Sequence, residues 1–300
     1  MAKPKPSMRQ SPPLQGAMTC DAAFRTAATH YLGQLTAQHQ ETAAGEPDAL
    51  HAMRVALTRL RTSILFFSPM VAGVEQMRLA AELKWLNAHL GMVRDLDVAL
   101  ERLTKIKHRR GVTDRSWKRE RAACQRILSR ALRSSRYRRL VRDLTAWIER
   151  GDWSRKISKE ATGRRAEPVA DYSARKLTQW QKKLLKKSRK LEEVGAKKRH
   201  RLRLKNKRLS YAIEAAASLV PDNETSTQKA TMKLLRNAQR SLGQLNDDTR
   251  RRSLAATLGE DKTEASDLLL KPKQKKRLLR KAANAYEELA KIKPLKISSA

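Results

Sequence analysis

An internal repeat is the feature that most constrains how this chain folds. The segment "HAMRVALTRLR" starts at His51, and "HRLRLKNKRLSY" starts 149 residues later, at His200. A second block recurs at a spacing of 152, where "LGMVRDLD" matches "LGQLNDDT". The residues that coincide are Arg54 with Arg203, Arg59 with Arg208, Leu60 with Leu209, Ile64 with Ile213, Lys84 with Arg236 and Asp95 with Asp247. Two copies of one unit predict two similar structural halves.

The hydrophobic pattern predicts that both halves are helical. Apolar residues recur with a period near 3.6, and glycine and proline stand mainly between the apolar runs. Clusters of β-branched residues in alternation with polar ones are absent. We predict helices at about 19–43, 47–68, 74–109, 114–150, 169–192, 196–219, 224–258 and 273–292, the fourth breaking near Ser134 and Ser135.

This helix order predicts an all-α domain over residues 18–297, built by duplication as two four-helix bundles. The first repeat covers about 19–150 and the second about 169–293, with a loop over 151–168 between them. Residues 1–17 carry prolines and basic residues without apolar periodicity. We therefore predict a disordered basic N-terminal arm there.

The charge of the chain indicates the kind of partner. Lysine and arginine number 66 against 30 acidic residues, which gives a net charge of +36. Self-repulsion of this size favours a polyanionic partner, and nucleic acid, polyphosphate and an anionic membrane surface are all candidates. Aromatic residues make up only 4% of the chain. This argues against a reader of single-stranded nucleic acid, which stacks bases on aromatic rings.

The compartment is expected to be the cytoplasm. Cys20 and Cys124 form neither a C-x-x-C motif nor a disulfide framework, which is typical of a reduced intracellular protein. The first residues, "MAKPKPSMRQSPPLQGAM", lack the apolar segment of a signal peptide. No run approaches the ~18 apolar residues of a membrane-spanning helix, so we expect no membrane association.

The repeated segment carries basic residues on the face opposite its apolar residues. On a helical wheel, His51, Arg54 and Arg61 lie opposite Leu57 and Ile64, with Arg59 at the edge of the basic arc. In the second copy, the same face carries His200, Arg203, Lys207 and Tyr211, again with Arg208 at its flank. A solvated face explains most single basic stripes. Histidine and arginine at one register twice favour an anion site instead, because arginine holds phosphate oxygens in a bidentate fork.

The acidic residues of the second block have two interpretations. Asp95 and Asp97 could be catalytic carboxylates or metal ligands, or they could hold arginines in place by ion pairs. No histidine or cysteine stands beside them at metal-ligand spacing, so we favour the ion pairs and predict no metal site. Gly91 and Gly243 would allow close helix approach, and Lys84 and Arg236 precede them on nearly the same face.

These blocks resemble the CHAD family, the conserved histidine α-helical domain. The pairing of "HAMRVALTRLR" with "LGMVRDLDV", and of "HRLRLKNKRLSY" with "LGQLND", carries the resemblance, which covers about residues 19–295. It implies two four-helix bundles related by pseudo-two-fold symmetry, with a shared basic groove that binds inorganic polyphosphate at polyphosphate granules of bacteria. The family has no established catalytic activity of its own. Some members also carry a triphosphate tunnel hydrolase domain, for which this chain has no room.

Three positions depart from the family pattern. Thr58 occupies a position where a basic residue is usual. In the second copy of the repeat, Ser210 occupies the position that matches Arg61, and Asn246 occupies the position that matches Arg94. Each half therefore lacks some basic groups, and we expect the two halves to contribute unequally.

We therefore expect a polyphosphate-binding protein that is not an enzyme and needs no cofactor, present as a monomer or weak dimer in the cytoplasm or on polyphosphate granules. The predicted binding residues are His51, Arg54, Arg59, Arg61, Lys84, Arg94, His200, Arg203, Lys207, Arg208, Arg236 and Arg240, with Lys182, Lys183, Arg189 and Tyr211 as secondary candidates and Asp95 and Asp247 as orienting groups.

Two other functions are weighed against this one. The first is a basic helical protein that binds the phosphate backbone of nucleic acid, which would make nucleic acid a weak competitor for the same surface. The second is a phosphatase or polyphosphate kinase. The sequence has no P-loop pattern, no metal-ligand cluster and no histidine with a clear acid–base partner to favour an enzyme.

Overall fold

The computed structural model describes residues 11–110, 115–151, 153, 159–257 and 269–297. Over these residues the protein is all-α and forms no β-sheet, with one isolated bridge between Thr19 and Pro168. The helices are α1 Cys20–Ala37, α2 His39–Ala44, α3 Pro47–Phe66, α4 Ser68–Val71, α5 Val74–Arg110, α6 Arg115–Arg133, α7 Ser135–Arg150, α8 Lys159–Ala166, α9 Val169–Ser188, α10 Ala196–Ala215, α11 Thr225–Thr257 and α12 Pro272–Lys291. Two short 3-10 turns, Ala217–Leu219 and Asp222–Glu224, connect α10 to α11.

Helix ends follow local signals that are visible in the sequence. Pro47 occupies the first turn of α3, where its missing N–H costs no hydrogen bond. Gly45 and Gly151 end α2 and α7 in the left-handed conformation, with φ of 104° and 63°. Ser134 separates α6 from α7, and its hydroxyl accepts a hydrogen bond from the N–H of Tyr137 at 3.2 Å. The predicted break at this position is confirmed.

Two boundaries differ from the prediction. The helix predicted over 19–43 is interrupted at Gln38, which leaves α1 and α2 as separate helices. The stretch 151–168, predicted as a loop, contains α8. The prediction failed there because α8 has no apolar periodicity. Tertiary contacts hold it instead, since buried Arg165 donates to the carbonyl of Trp153 at 3.0 Å.

The prediction of a disordered arm is wrong for residues 11–17, while residues 1–10 lie outside the described part of the chain. Ser11 Oγ donates to the carbonyl of Glu214 at 2.7 Å, and Ser218 Oγ donates to the carbonyl of Leu14 at 2.8 Å. The Leu14 side chain is buried in the core, with 6% of its surface exposed. This segment is therefore held at the end of α10 by hydrogen bonds to Glu214 and Ser218, which are distant in sequence.

The long helices pack mainly within their own half. In the first half, α1 packs on α3 and α7, and α5 packs on α3, α6 and α7; in the second half, α9, α10, α11 and α12 pack on one another in turn. The two halves meet where α3 lies against α10 and α5 lies against α11. These four helices carry the repeated sequence blocks. The fold therefore places the two basic stripes side by side at the junction between the halves.

Candidate anion-binding groove

Four basic side chains meet where α3 crosses α10. Arg54 and Arg59 come from α3, and Arg203 and Lys207 come from α10. Burial, followed by the charges of Arg203, Arg54 and Arg59, lowers the pKa of the Lys207 ammonium to about 8. The surface formed by these four residues is called the basic groove below. Its central feature is a concentration of positive charge drawn from both halves.

The two arginines at the centre of the groove lie over glycines of the neighbouring helices. Arg54 Nη1 donates to the carbonyl of Leu90 at 3.1 Å, and a Cβ atom on Gly91 would stand 3.5 Å from the same nitrogen. In the second half, a Cβ atom on Gly243 would stand 3.9 Å from Arg203 Nε. The matched arginines therefore pack over the matched glycines. The sequence predicted that these glycines allow close approach of another helix, and the structure shows that an arginine side chain approaches them.

Arg203 differs from Arg54 in its hydrogen bonding. Its Nε is buried and has no hydrogen-bond partner among the described residues. A guanidinium N–H removed from water without an acceptor is costly.

Tyr211 lies beside two cations of the groove. The guanidinium of Arg59 lies 5.5 Å from the centre of its ring, and the ammonium of Lys207 lies 5.4 Å from the same centre. Arg59 Nη2 also pairs with Glu214 Oε2 at 3.2 Å. Burial raises the pKa of the Tyr211 phenol to about 12, so the ring stays neutral beside the two cations.

The paired histidines occupy different surroundings. The pKa of His51 is lowered, first by desolvation of its ring and then by the charges of Arg94, Lys207 and Arg54, although the residue as a whole is exposed. His200 Nδ1 lies 2.6 Å from Oδ1 of Asn246, and the ring nitrogen must carry the hydrogen because an amide oxygen only accepts. In the first half the charge of Arg94 acts on His51. In the second half Asn246 takes the matching position and forms a hydrogen bond with His200 instead.

The acidic residues pair with arginines. Asp95 Oδ2 accepts from Arg250 Nη1 at 2.7 Å, in an ion pair that joins α5 to α11. Burial raises the pKa of Asp95, and the charges of Arg250 and Arg54 oppose this effect. Asp97 pairs with Arg121 Nε at 3.0 Å. This geometry agrees with ion pairing of the two aspartates, while the orienting role expected of Asp95 and Asp247 stays a prediction.

Arg250 is a basic residue that sequence reasoning missed, and its charge acts on Arg54. It lies four positions after Asn246 and therefore on the same face of α11. An open pocket between α10 and α11 is lined by Lys197, Arg199, His200 and Arg250 among others. The i, i+4 spacing from the second block could have identified Arg250, because it continues the stripe by one turn.

The remaining predicted residues are not all gathered in the groove. Arg94 reaches it, since its charge acts on both His51 and Arg54. Arg61 lies near Arg208 instead, and burial together with that charge lowers the pKa of Arg61. Exposed side chains belong to Lys84, Arg236, Arg240, Lys182, Lys183 and Arg189, and their part in binding stays a prediction.

The described residues contain no group of three or more histidine, cysteine or acidic side chains arranged to hold a metal ion. No helix among the described segments is both long enough and apolar enough to cross a membrane.

Comparison with known proteins places this chain in a family. The sequence profile of the CHAD domain matches residues 26–256. The chain belongs to the CHAD family. The expected resemblance is confirmed, and so is the all-α fold.

Two solved structures share the CHAD fold of this chain. The crystal structure of the CHAD domain from the plant Ricinus communis superposes with a TM-score of 0.78 at 23% identity, covering 98% of this chain and 99% of that one. PptA from Streptomyces chartreusis superposes with a TM-score of 0.59 at 17% identity, covering 91% and 95%. At these identities the likeness concerns the fold alone. A comparison with curated protein sequences gave no significant match.

Proposed function

We propose that this CHAD protein binds inorganic polyphosphate in the basic groove and does not catalyse its conversion. The observation that carries the proposal is the half-buried ammonium of Lys207, held among Arg54, Arg59 and Arg203. Positive side chains that lie close together and are removed from water repel one another. Their charged forms are therefore destabilised unless an anion compensates the charge. A bound phosphate chain would provide that compensation.

The arrangement of the cations suits a linear anion. Arginines from α3 and α10 can each hold two oxygens of one phosphate, and Lys207 between them acts as a point charge. One chain that crosses the junction would contact both halves, so the second contact becomes intramolecular. Membership of the CHAD family supports polyphosphate as the anion.

The duplication belongs to the same proposal. Helices α3 and α10 each contain 20 residues, and both of their ends lie 149 positions apart. Arg54 over Gly91 and Arg203 over Gly243 repeat one local contact in each half. These matches support two four-helix bundles related by pseudo-two-fold symmetry, with the groove between them.

A binding role agrees with the state of the acidic residues. Asp95 and Asp97 are engaged with Arg250 and Arg121, so neither is placed as a free base beside the groove. On this proposal the protein acts in the cytoplasm or at polyphosphate granules, as a monomer or weak dimer.

The test is a double substitution, Arg54→Ala with Arg203→Ala. We expect polyphosphate affinity to fall about 100-fold or more, because each charge-assisted hydrogen bond contributes ~1.5–3 kcal/mol. The control is Arg126→Ala with Arg130→Ala, two exposed arginines on α6, which changes the net charge equally. Isothermal titration measures binding, and circular dichroism verifies the fold. A folded double variant with wild-type affinity would place the site elsewhere.

Nucleic acid is the alternative ligand, and one observation favours it. Helices α6 and α7 expose a series of arginines, namely Arg119, Arg126, Arg130, Arg133, Arg138 and Arg139. Such a surface can follow a phosphate backbone without reading bases. Competition between long-chain polyphosphate and duplex DNA at one fixed salt concentration separates the two ligands. We expect polyphosphate to displace DNA, whereas the opposite order would favour the alternative.

A further inference from the structure

A second group of cations lies outside the basic groove, across α9 and α10. Burial lowers the pKa of Lys205 on α10, and the neighbouring charges that lower it further belong to Lys187, Arg208 and Lys183. Lys176 on α9 is affected in the same way by Lys183 and by Arg164. Helices α9 and α10 pack directly against each other, so the lysines of these two helices lie along one junction.

This group connects to the groove through Arg61. Helix α3 packs against α10, and the charge of Arg208 acts on Arg61, so Arg61 lies beside the cations of α10. Arg61 also lies two helical turns after Arg54, on the same face of α3. Positive charge therefore continues from the groove along α3, passes to α10 and reaches α9. The lateral track is defined by Arg61, Arg208, Lys205, Lys187, Lys183 and Lys176.

The lateral track differs from the groove in having no internal counter-charge. In the groove, Glu214 pairs with Arg59, and Asp95 pairs with Arg250 nearby. Among the described residues, none of the six cations of the track forms an ion pair with a carboxylate. Like charges gathered without acids destabilise the free protein and favour an external anion.

The length and direction of the track indicate which anion it suits. On α9 its residues Lys176, Lys183 and Lys187 recur at spacings of seven and four, so they form one stripe along the helix. A stripe of lysines provides point charges along a line and does not provide the convergent donors of a site for a single small anion. The geometry suits a flexible linear polyanion that enters or leaves the groove.

We propose that the lateral track holds the part of a long polyphosphate chain that extends beyond the basic groove. The proposal rests on polyphosphate binding in the groove itself. It assigns the preference for long chains to a surface formed mainly by the second half, which is an unequal contribution of the two halves. Short chains would fill the groove and leave the track empty.

The test compares three proteins against size-fractionated polyphosphate, from tripolyphosphate upwards. The track variant is Lys183→Gln, Lys187→Gln and Lys205→Gln. The control variant is Arg119→Gln, Arg126→Gln and Arg130→Gln, on a helix that packs against α2, α5 and α7. Both variants lower the net charge of +36 by three, and glutamine preserves helix propensity. Melting curves verify that all three proteins fold alike.

We expect the track variant to bind the shortest chains like the control variant and to bind long chains about tenfold or more weakly, because its second, intramolecular attachment is removed. The slope of log affinity against log salt for long chains should become shallower by about 2–3, at ~0.7–0.9 for each phosphate that the three lysines no longer neutralise. Equal behaviour of track and control variants at every length would overturn the track. Equally weakened binding at all lengths would place these lysines inside the groove site and overturn it also.

The experiments distinguish failure of the groove proposal from failure of the track proposal. If Arg54→Ala with Arg203→Ala abolishes binding while the track variant matches its control, the groove stands and the track does not. If the wild-type protein binds no polyphosphate of any length, the proposed function fails and the track fails with it.

Discussion

Lys207 has an ionisation state that depends on what occupies the groove. In the free protein its pKa is lowered to about 8, by burial and by three neighbouring arginines. A bound polyphosphate would raise this pKa, so the complex holds a proton that the free protein releases above pH 8. By linkage, affinity must then fall as pH rises above 8, by up to ~10-fold per pH unit for one proton. Affinity measured between pH 7 and 9.5 tests this expectation.

The matched control is Lys207→Arg, which keeps a positive charge throughout that pH range. We expect the affinity of this variant to stay constant above pH 8. A wild-type protein whose affinity does not change over the range, or a variant whose affinity falls in parallel with that of the wild type, would show that Lys207 is not the titrating group.

His51 extends the same reasoning to lower pH. Its pKa lies below the ordinary value because desolvation and neighbouring cations disfavour its charged form. A bound polyanion would raise this pKa, so affinity should rise as pH falls through the pKa of His51 in the complex and should level off below its lowered pKa in the free protein. His200, which donates to Asn246, has other surroundings, so the two histidines of the repeat need not contribute alike.

At the scale of helices, Gly91 tests how closely α5 is coupled to the site. An added Cβ would stand 3.5 Å from Arg54 Nη1, which is an ordinary contact distance. Gly91→Ala should therefore leave binding unchanged and stabilise α5 by up to ~1 kcal/mol through helix propensity. Gly91→Leu should displace the Arg54 side chain and weaken binding, as measured by titration alongside a melting curve. Binding that is abolished already in the alanine variant would mean that the helix surface is more tightly packed than this distance indicates.

The helices that could be predicted are those with a strong apolar period. α3, α10 and α12 begin or end within a few residues of the predicted positions, since proline and apolar spacing act locally. α8 could not be predicted, because its sequence has no apolar periodicity. It is held by the hydrogen bond from Arg165 to Trp153, which no local pattern indicates. The ordered structure of residues 11–17 could not be predicted for a related reason, because their hydrogen-bond partners lie about 200 positions away.

At the scale of the whole molecule, the repeat was the source of the predicted site. A matched register identified Arg54 and Arg203, and the packing of α3 on α10 places them together. The matching of positions between the two repeats could not show which basic residues lie outside the groove. Arg61 and Arg208 belong to matched segments, yet the charge of Arg208 acts on Arg61 and Lys205 and is not among those that lower the pKa of Lys207.

The net charge of +36 predicts two opposite effects of salt on the whole molecule. Screening relieves self-repulsion in the free protein, so its melting temperature should rise as salt is added. Polyphosphate binding should weaken over the same range, with a slope of log affinity against log salt of about −3 for the four groove cations, if each cation contributes ~0.7–0.9 as it does in nucleic acids. Melting curves with and without long-chain polyphosphate measure both effects on one sample, because a ligand that binds only the folded state raises the melting temperature.

The two melting curves should therefore converge at high salt. An orthophosphate assay on the same samples, with and without divalent metal, should detect no release. Curves that stay equally separated at all salt concentrations would contradict a multi-point charge contact, and steady phosphate release by clean protein would contradict a binding role without catalysis.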